Sequence, residues 1–198
     1  MTAPRGLTPL ASAQPMPAAS APIAPIEPTF AAPEPVADSR ARELVQLADA
    51  LSAPGAQARK IAILGTGNNN RTSETALTLA RLLARQAKVV LIDLSASPML
   101  AAAAVDPSAP GVADLVRGEA SFGQIISRDR LSPVHLVGAG HTGGDRTHLQ
   151  SPRLIMAVDA LVRTYDHVLL DAGTANDLPA SLLTADARAV VAPDPSMS

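Results

Sequence analysis

An α/β fold with a mostly parallel sheet flanked by helices is what this sequence predicts, and three observations predict it. From Lys60 onward, short apolar runs alternate with stretches of helical periodicity. The run Val89-Val-Leu-Ile92 is apolar at every position, as strands covered on both faces are. The helical stretches stand between the runs, where parallel strands need right-handed crossovers.

The elements follow in chain order. Residues 1–38 hold nine of the 18 prolines and ten alanines. Proline fixes φ and removes an amide donor, so this stretch is expected to be an extended, disordered linker. Ser39 to Leu51 then carries Ala41, Leu44, Val45, Ala48 and Leu51 at helical spacing, with Asp38 or Ser39 as cap. Ser52-Ala-Pro-Gly55 ends that leading helix, and the main domain is expected over residues 56–198.

Within that domain Lys60–Leu64 reads as a strand, Glu74–Gln86 as a helix and Val89–Ile92 as a strand. Gly111–Arg117 and Phe122–Ser127 read as short helices, and Val134–Val137 as a strand. Pro152–Thr164 reads as a helix, His167–Leu170 as a strand, Leu178–Thr184 as a helix and Arg188–Ala192 as the last strand. No internal repeat is present.

Composition narrows the function. The 198 residues are 47% hydrophobic and only 2% aromatic, so Ala, Leu and Val build the core. A net charge of −2 gives no electrostatic footprint for nucleic acid or an anionic membrane. The absence of Cys removes disulfides, thiolate catalysis and Cys-ligated zinc, and fits a reducing cytoplasm. No apolar run approaches the ~20 residues of a spanning helix, so no direct membrane insertion is expected, and the N-terminus lacks the apolar stretch of a signal peptide.

In an α/β sheet, ligands are expected beyond the carboxyl ends of the strands. The turn after the first strand is Leu64-Gly-Thr-Gly-Asn-Asn-Asn-Arg-Thr-Ser73. A working phosphate loop needs glycines for close backbone approach, a Lys for the β/γ oxygens and a Ser or Thr for magnesium. With Ser73 as the magnesium ligand, Thr72 stands where the Lys belongs and Arg71 where the preceding Gly belongs. Gly65 and Gly67 remain, and Asn68 to Asn70 occupy the bend, where Asn tolerates left-handed backbone. Glu74 is expected in the first helical turn, where it would satisfy the dipole that a phosphate uses. An ordinary strand–turn–helix connection competes with this phosphate-loop reading.

Further landmarks carry a resemblance. Val89-Val-Leu-Ile-Asp93 and Val168-Leu-Leu-Asp171 are strands ending in Asp, with Gly111-Val-Ala-Asp-Leu-Val-Arg-Gly-Glu119 between them and Ser151-Pro-Arg-Leu154 opening a helix. In this order the chain, from about Arg40 to its end, resembles the cytoplasmic domain of the bacterial tyrosine kinases (BY-kinases) of the MinD/ParA branch of P-loop proteins. It is most similar to the degenerate, GumC-like versions of exopolysaccharide loci. The resemblance implies a P-loop NTPase-like three-layer sandwich. Residues Gly65, Gly67, Asn70, Arg71, Thr72 and Ser73 would belong to the Walker A loop, Asp93 to the Walker A′ strand and Asp171 to Walker B.

The departures are equally specific. The family's A′ motif is Asp-x-Asp-x-Arg, and here it reads Asp93-Leu-Ser95-Ala-Ser97, without the second acid and the Arg. The Glu-x-x-Arg-x-x-Arg assembly motif is absent from the leading helix. The C-terminal tyrosine cluster is missing too, the only Tyr being Tyr165, in the lead-in to a strand. Relatives continue past the last strand with a further helix and strand, which implies a shortened copy or a fragment.

The resemblance therefore implies a non-catalytic module of exopolysaccharide synthesis and export. It would sit in the cytoplasm at the inner membrane face, regulating chain length through a membrane polysaccharide co-polymerase, with no cofactor. The alternative is a tyrosine autokinase or ATPase that uses ATP and magnesium, with Arg71 as substitute cation. A MinD/ParA-like partitioning switch is a third reading, which the missing Lys disfavours. Other candidates are weaker. His141, Asp145 and His148 fall in one loop, but a zinc site needs a further ligand, and a polar or partner-contact loop is the plainer reading. His135 and His167 are expected to hydrogen-bond in their strands, and Ser181 has no paired base.

Overall fold

Apolar strands with helices between them fold into one sheet covered on both faces. A computed structural model describes residues 35–53, 59–67, 69–141, 146–174, 178–183 and 187–192 of the chain. The strands are β1 (Lys60–Gly65), β2 (Val89–Asp93), β3 (Ile126–Arg128), β4 (His135–Val137), β5 (His167–Thr174) and β6 (Ala187–Ala192). The helices are α1 (Pro35–Ser52), α2 (Asn69–Leu83), α3 (Pro98–Ala103), α4 (Val112–Arg117) and α5 (Pro152–Thr164). Short 3₁₀ turns occupy Arg146–Gln150 and Ala180–Leu182.

The sheet runs β3-β4-β2-β5-β1-β6. All neighbours are parallel except β3, which runs antiparallel to β4 at one edge. Side chains alternate across the pleat even where every residue is apolar. Ile61, Ile63, Val89, Leu91 and Leu169 join α1, α2 and α3 in one core. Val90, Ile92, Val168 and Leu170 join α4 and α5 in the other. The result is the expected three-layer α/β sandwich.

Several elements differ from the sequence reading. α1 begins at Pro35, so residues 35–38 belong to a helix rather than the linker; the linker up to residue 34 lies outside the described residues. Proline is tolerated there because a helix's first amides have no intrahelical acceptor. α2 begins at Asn69, five residues ahead of the expected start. β5 runs on to Thr174, so Asp171 lies inside a strand. α3 was not expected, although Pro98 at its first position follows an extended Ser97, a common helix start.

The helix expected over 122–127 is not formed. Ser121 donates its amide and its hydroxyl to Gln124 Oε1 (2.8 and 2.7 Å), folding that stretch into a turn. Ile126 then enters β3, opposite Val137. Asp129 closes the hairpin through its amide to the Val134 carbonyl (2.9 Å), and its carboxylate receives both Nε and Nη2 of Arg81 from α2. The helix expected over 178–184 shrinks, within the described residues, to a turn of i→i+3 bonds that buries Leu182.

Among the described residues, no helix is long and apolar enough to cross a membrane.

Candidate functional site

Parallel strands bring their carboxyl ends to one edge, and that is where the predicted residues meet. Asp93 and Asp171 are register partners on β2 and β5. Neighbouring strands lie about 4.8 Å apart, so two carboxylates share one small volume. Both are buried, at 3% and 0% exposure.

Each acid is held by short-range donors. The Ser73 hydroxyl donates to Asp171 Oδ2 at 2.5 Å, and the Gly173 amide to Oδ1 at 3.1 Å. Asp93 Oδ1 receives the Ser95 amide (2.9 Å) and Oδ2 the Ser97 amide (2.9 Å). The Ser95 hydroxyl lies 3.1 Å from both Asp93 Oδ1 and Asp171 Oδ2, so one proton serves two acids.

Two amides two residues apart converge on Asp93 because the chain turns sharply between them. Ala96 takes φ 56°, the left-handed region, which costs an L-residue about 1–2 kcal/mol. Burial pushes the Asp93 carboxyl up to about 6; the adjacent Asp171 charge adds to the rise, and the Ser95 and Ser97 hydrogen bonds oppose it.

The phosphate loop is short. β1 ends at Gly65 and α2 starts at Asn69, leaving Thr66, Gly67 and Asn68 as connection, of which Asn68 lies outside the described residues. Arg71, Thr72 and Ser73 are therefore helical. Thr72 and Ser73 face inward at 1% and 0% exposure, while Asn70, Arg71 and Glu74 face outward. A β-carbon built on Gly65 would lie 2.0 Å from Thr72 Oγ1, so the threonine hydroxyl fills the space against the loop's first glycine. Glu74 stands beyond the first turn, which corrects the expected dipole role: that effect fades within one turn.

Other candidates have local partners. His135 Nδ1 meets the Tyr165 hydroxyl at 2.5 Å, and Tyr165 is buried. His141 Nδ1 meets Asp114 Oδ2 at 3.2 Å, at the start of α4. Asp145 lies outside the described residues, among which no cluster of three potential metal ligands occurs. His148 and Ser181 lie in the two 3₁₀ turns. His167 opens β5, and Ser95 is the site residue the sequence reading undervalued. It stands where the A′ motif has an acid, and the Asp-x-Ser spacing is also that of an Asx turn, which brings its amide and hydroxyl onto Asp93.

No protein-family model matches the sequence, and no curated protein does. Solved structures do match. The VpsO kinase domain is 20% identical, with TM-score 0.56 over 75% of this chain and 71% of that one. The kinase domain of Escherichia coli tyrosine kinase ETK is 16% identical, with TM-score 0.54 over 64% of this chain and 53% of that one. The fold is that of a bacterial tyrosine-kinase domain. The chimerical protein CapA2B2 shares it too, at 17% identity and TM-score 0.61 over 80% of this chain and 72% of that one. On this kinase fold the chain spans about half of ETK's domain, and the loop after β1 and the ends of β2 and β5 converge at one sheet edge.

Proposed function

We propose that the chain is a non-catalytic relative of the bacterial tyrosine kinases, acting in exopolysaccharide synthesis and export. It regulates polymer length through protein contacts at the inner face of the membrane, with a membrane polysaccharide co-polymerase as partner. The kinase-type fold and the motif order from Gly65 to Asp171 support the context.

One observation carries the non-catalytic reading: buried Thr72, packed against Gly65, stands where a phosphate loop needs its Lys. Phosphoryl transfer is almost entirely positioning plus charge stabilisation. Ser95 and Ser97 add hydroxyls where the A′ motif would supply an acid and a cation, and Ser73 and Ser95 are bonded to Asp171. A magnesium nucleotide does not fit this residue set. Tyr165, buried and bonded to His135, is no accessible phosphoacceptor.

Isothermal titration of the full chain with ATP and magnesium tests this. The expected result is no binding heat. Micromolar binding that Arg71→Ala abolishes, or phosphate release lost in Asp171→Asn, would overturn the reading in favour of an active kinase or ATPase. The partner is tested by co-purification with a membrane polysaccharide co-polymerase, and a chain that never co-purifies with one would count against that partner.

A further inference from the structure

Beside the Asp93 turn lies a cavity of about 350 Å³, within the size range of small-molecule sites. Leu91, Leu100 and Leu136 are among its apolar walls, and Asp93, Ser97 and Asp106 among its polar ones. Its walls come from β2, β3, β4, α3, the segments on either side of α3 and residues 138–141, where the His141 ring is engaged by Asp114 Oδ2. None of the phosphate-loop residues contributes to it.

Ser97 is the unusual wall residue. It is only 4% exposed, it stands at the N-cap of α3 without a side-chain capping bond, and its Oγ has no hydrogen-bond partner among the described residues. A buried hydroxyl left unpaired costs about 1–3 kcal/mol, so such a group calls for an explanation. Next to it, Asp93 Oδ2 accepts the Ser97 amide and retains room for a second donor. Asp106 is exposed and is held to its own turn by Ser108, which donates its amide and hydroxyl to Oδ1.

This combination selects for charge. Two carboxylates disfavour an anion, and an unpaired hydroxyl beside a carboxylate suits a ligand with more than one N–H donor. Aliphatic walls suit methylenes rather than water. We propose that the cavity binds the cationic end of an aliphatic chain, an alkylguanidinium or alkylammonium group, with its donors on Asp93 and Ser97. The group comes either from a free amine or from an Arg or Lys side chain of another protein. The site is separate from the phosphate loop and does not require that loop to be inactive.

The test is amide chemical-shift perturbation on the ¹⁵N-labelled full chain. The probes are n-butylguanidinium, its neutral isostere n-butylurea, inorganic phosphate and the capped tripeptide Gly-Arg-Gly. n-Butylguanidinium is expected to shift the amides of Ser97, Ala101 and Gly138 saturably, with n-butylurea and phosphate leaving them in place. Ser97→Ala weakens binding roughly five-fold, the loss of one hydrogen bond, and Asp93→Asn roughly ten-fold or more. Tighter binding of the tripeptide than of n-butylguanidinium assigns the site to a protein side chain, and the reverse to a free amine. Equal binding of n-butylurea, preferential binding of phosphate, or no response to either cation overturns the proposal. The comparison of probes on the unaltered chain decides the matter even if a variant fails to fold.

Discussion

The hydroxyl of Thr72 and the α-carbon of Gly65 are packed so closely that a β-carbon on Gly65 would lie 2.0 Å from Thr72 Oγ1. The contact joins the end of β1 to the first turns of α2. Glycine is kept here for room, whatever the loop binds. Gly65→Ala is expected to cost about 1–3 kcal/mol, as overpacking does. Thr72→Ala in the same chain should restore part of that loss, and a urea-melt double-mutant cycle gives the coupling. Additive effects would show that the two residues do not meet.

The Asp93–Asp171 pair makes stability depend on pH in an unusual direction. Most carboxylates with native partners lose stability as pH falls. Asp93 is raised from the usual 3.8 to about 6, so the folded chain takes up its proton first. Its ionisation therefore costs stability as pH rises, with no penalty below the unfolded value and the full penalty above about 6. The loss should approach about 2–3 kcal/mol between these limits. Asp114 and Asp129, both held below the ordinary value, act oppositely, and their stabilisation is lost only as pH falls below about 4. His135, held below its ordinary value by burial, acts oppositely in the upper part of this window, so the comparison with Asp93→Asn decides: the melting temperature of the Asn variant should gain on that of the unaltered chain as pH rises from about 4 to neutral. A gap that does not change with pH would count against the buried acid pair.

Ala96 offers a gain. Its φ of 56° is strained for any residue with a β-carbon. Ala96→Gly relieves that strain and should stabilise the chain by about 0.5–1 kcal/mol, even though glycine gains freedom when unfolded. Chemical denaturation of the two proteins side by side measures it, and a destabilised glycine variant would refute the strained turn.

The clasp between α2 and the β3–β4 hairpin has a larger effect. Asp129 is fully buried in its side chain and faces Arg81 Nη2 at 2.8 Å. Arg81→Ala strands that carboxylate, keeping only Ser132 as a side-chain donor. A loss of about 2–4 kcal/mol is expected, somewhat softened because Arg81 is part exposed. Hydrogen exchange should quicken at the Asp129 amide, which bonds to Val134, before it quickens in β2.

What was legible in the sequence is what local pattern encodes. β1, β2 and β5 are apolar runs, α5 has a Ser151 cap followed by proline, and each was read within a few residues. The 122–127 segment carries helical spacing, but the turn made by Ser121 with Gln124 and the pairing of β3 with β4 decide its form, and that pairing is not a local pattern. α2 starts early despite the poor helix propensity of Asn, since Thr72 and Ser73 gain burial against β1 and β5. Asp93 is legible as a strand end, whereas its meeting with Asp171, inside β5, and the shared Ser95 hydroxyl required the register between β2 and β5.

The strand order has a consequence for synthesis. β1 emerges from the ribosome early, yet its two neighbours are β5 and β6, with Lys60 matched to Val168 on one side and Ala187 on the other. Until both arrive, Ile61 and Ile63 have no sheet to enter, and both edges of an apolar strand stay open to other chains. Nascent copies therefore carry an open, apolar strand until β5 and β6 have been made, and shielding β1 over that interval protects the chain.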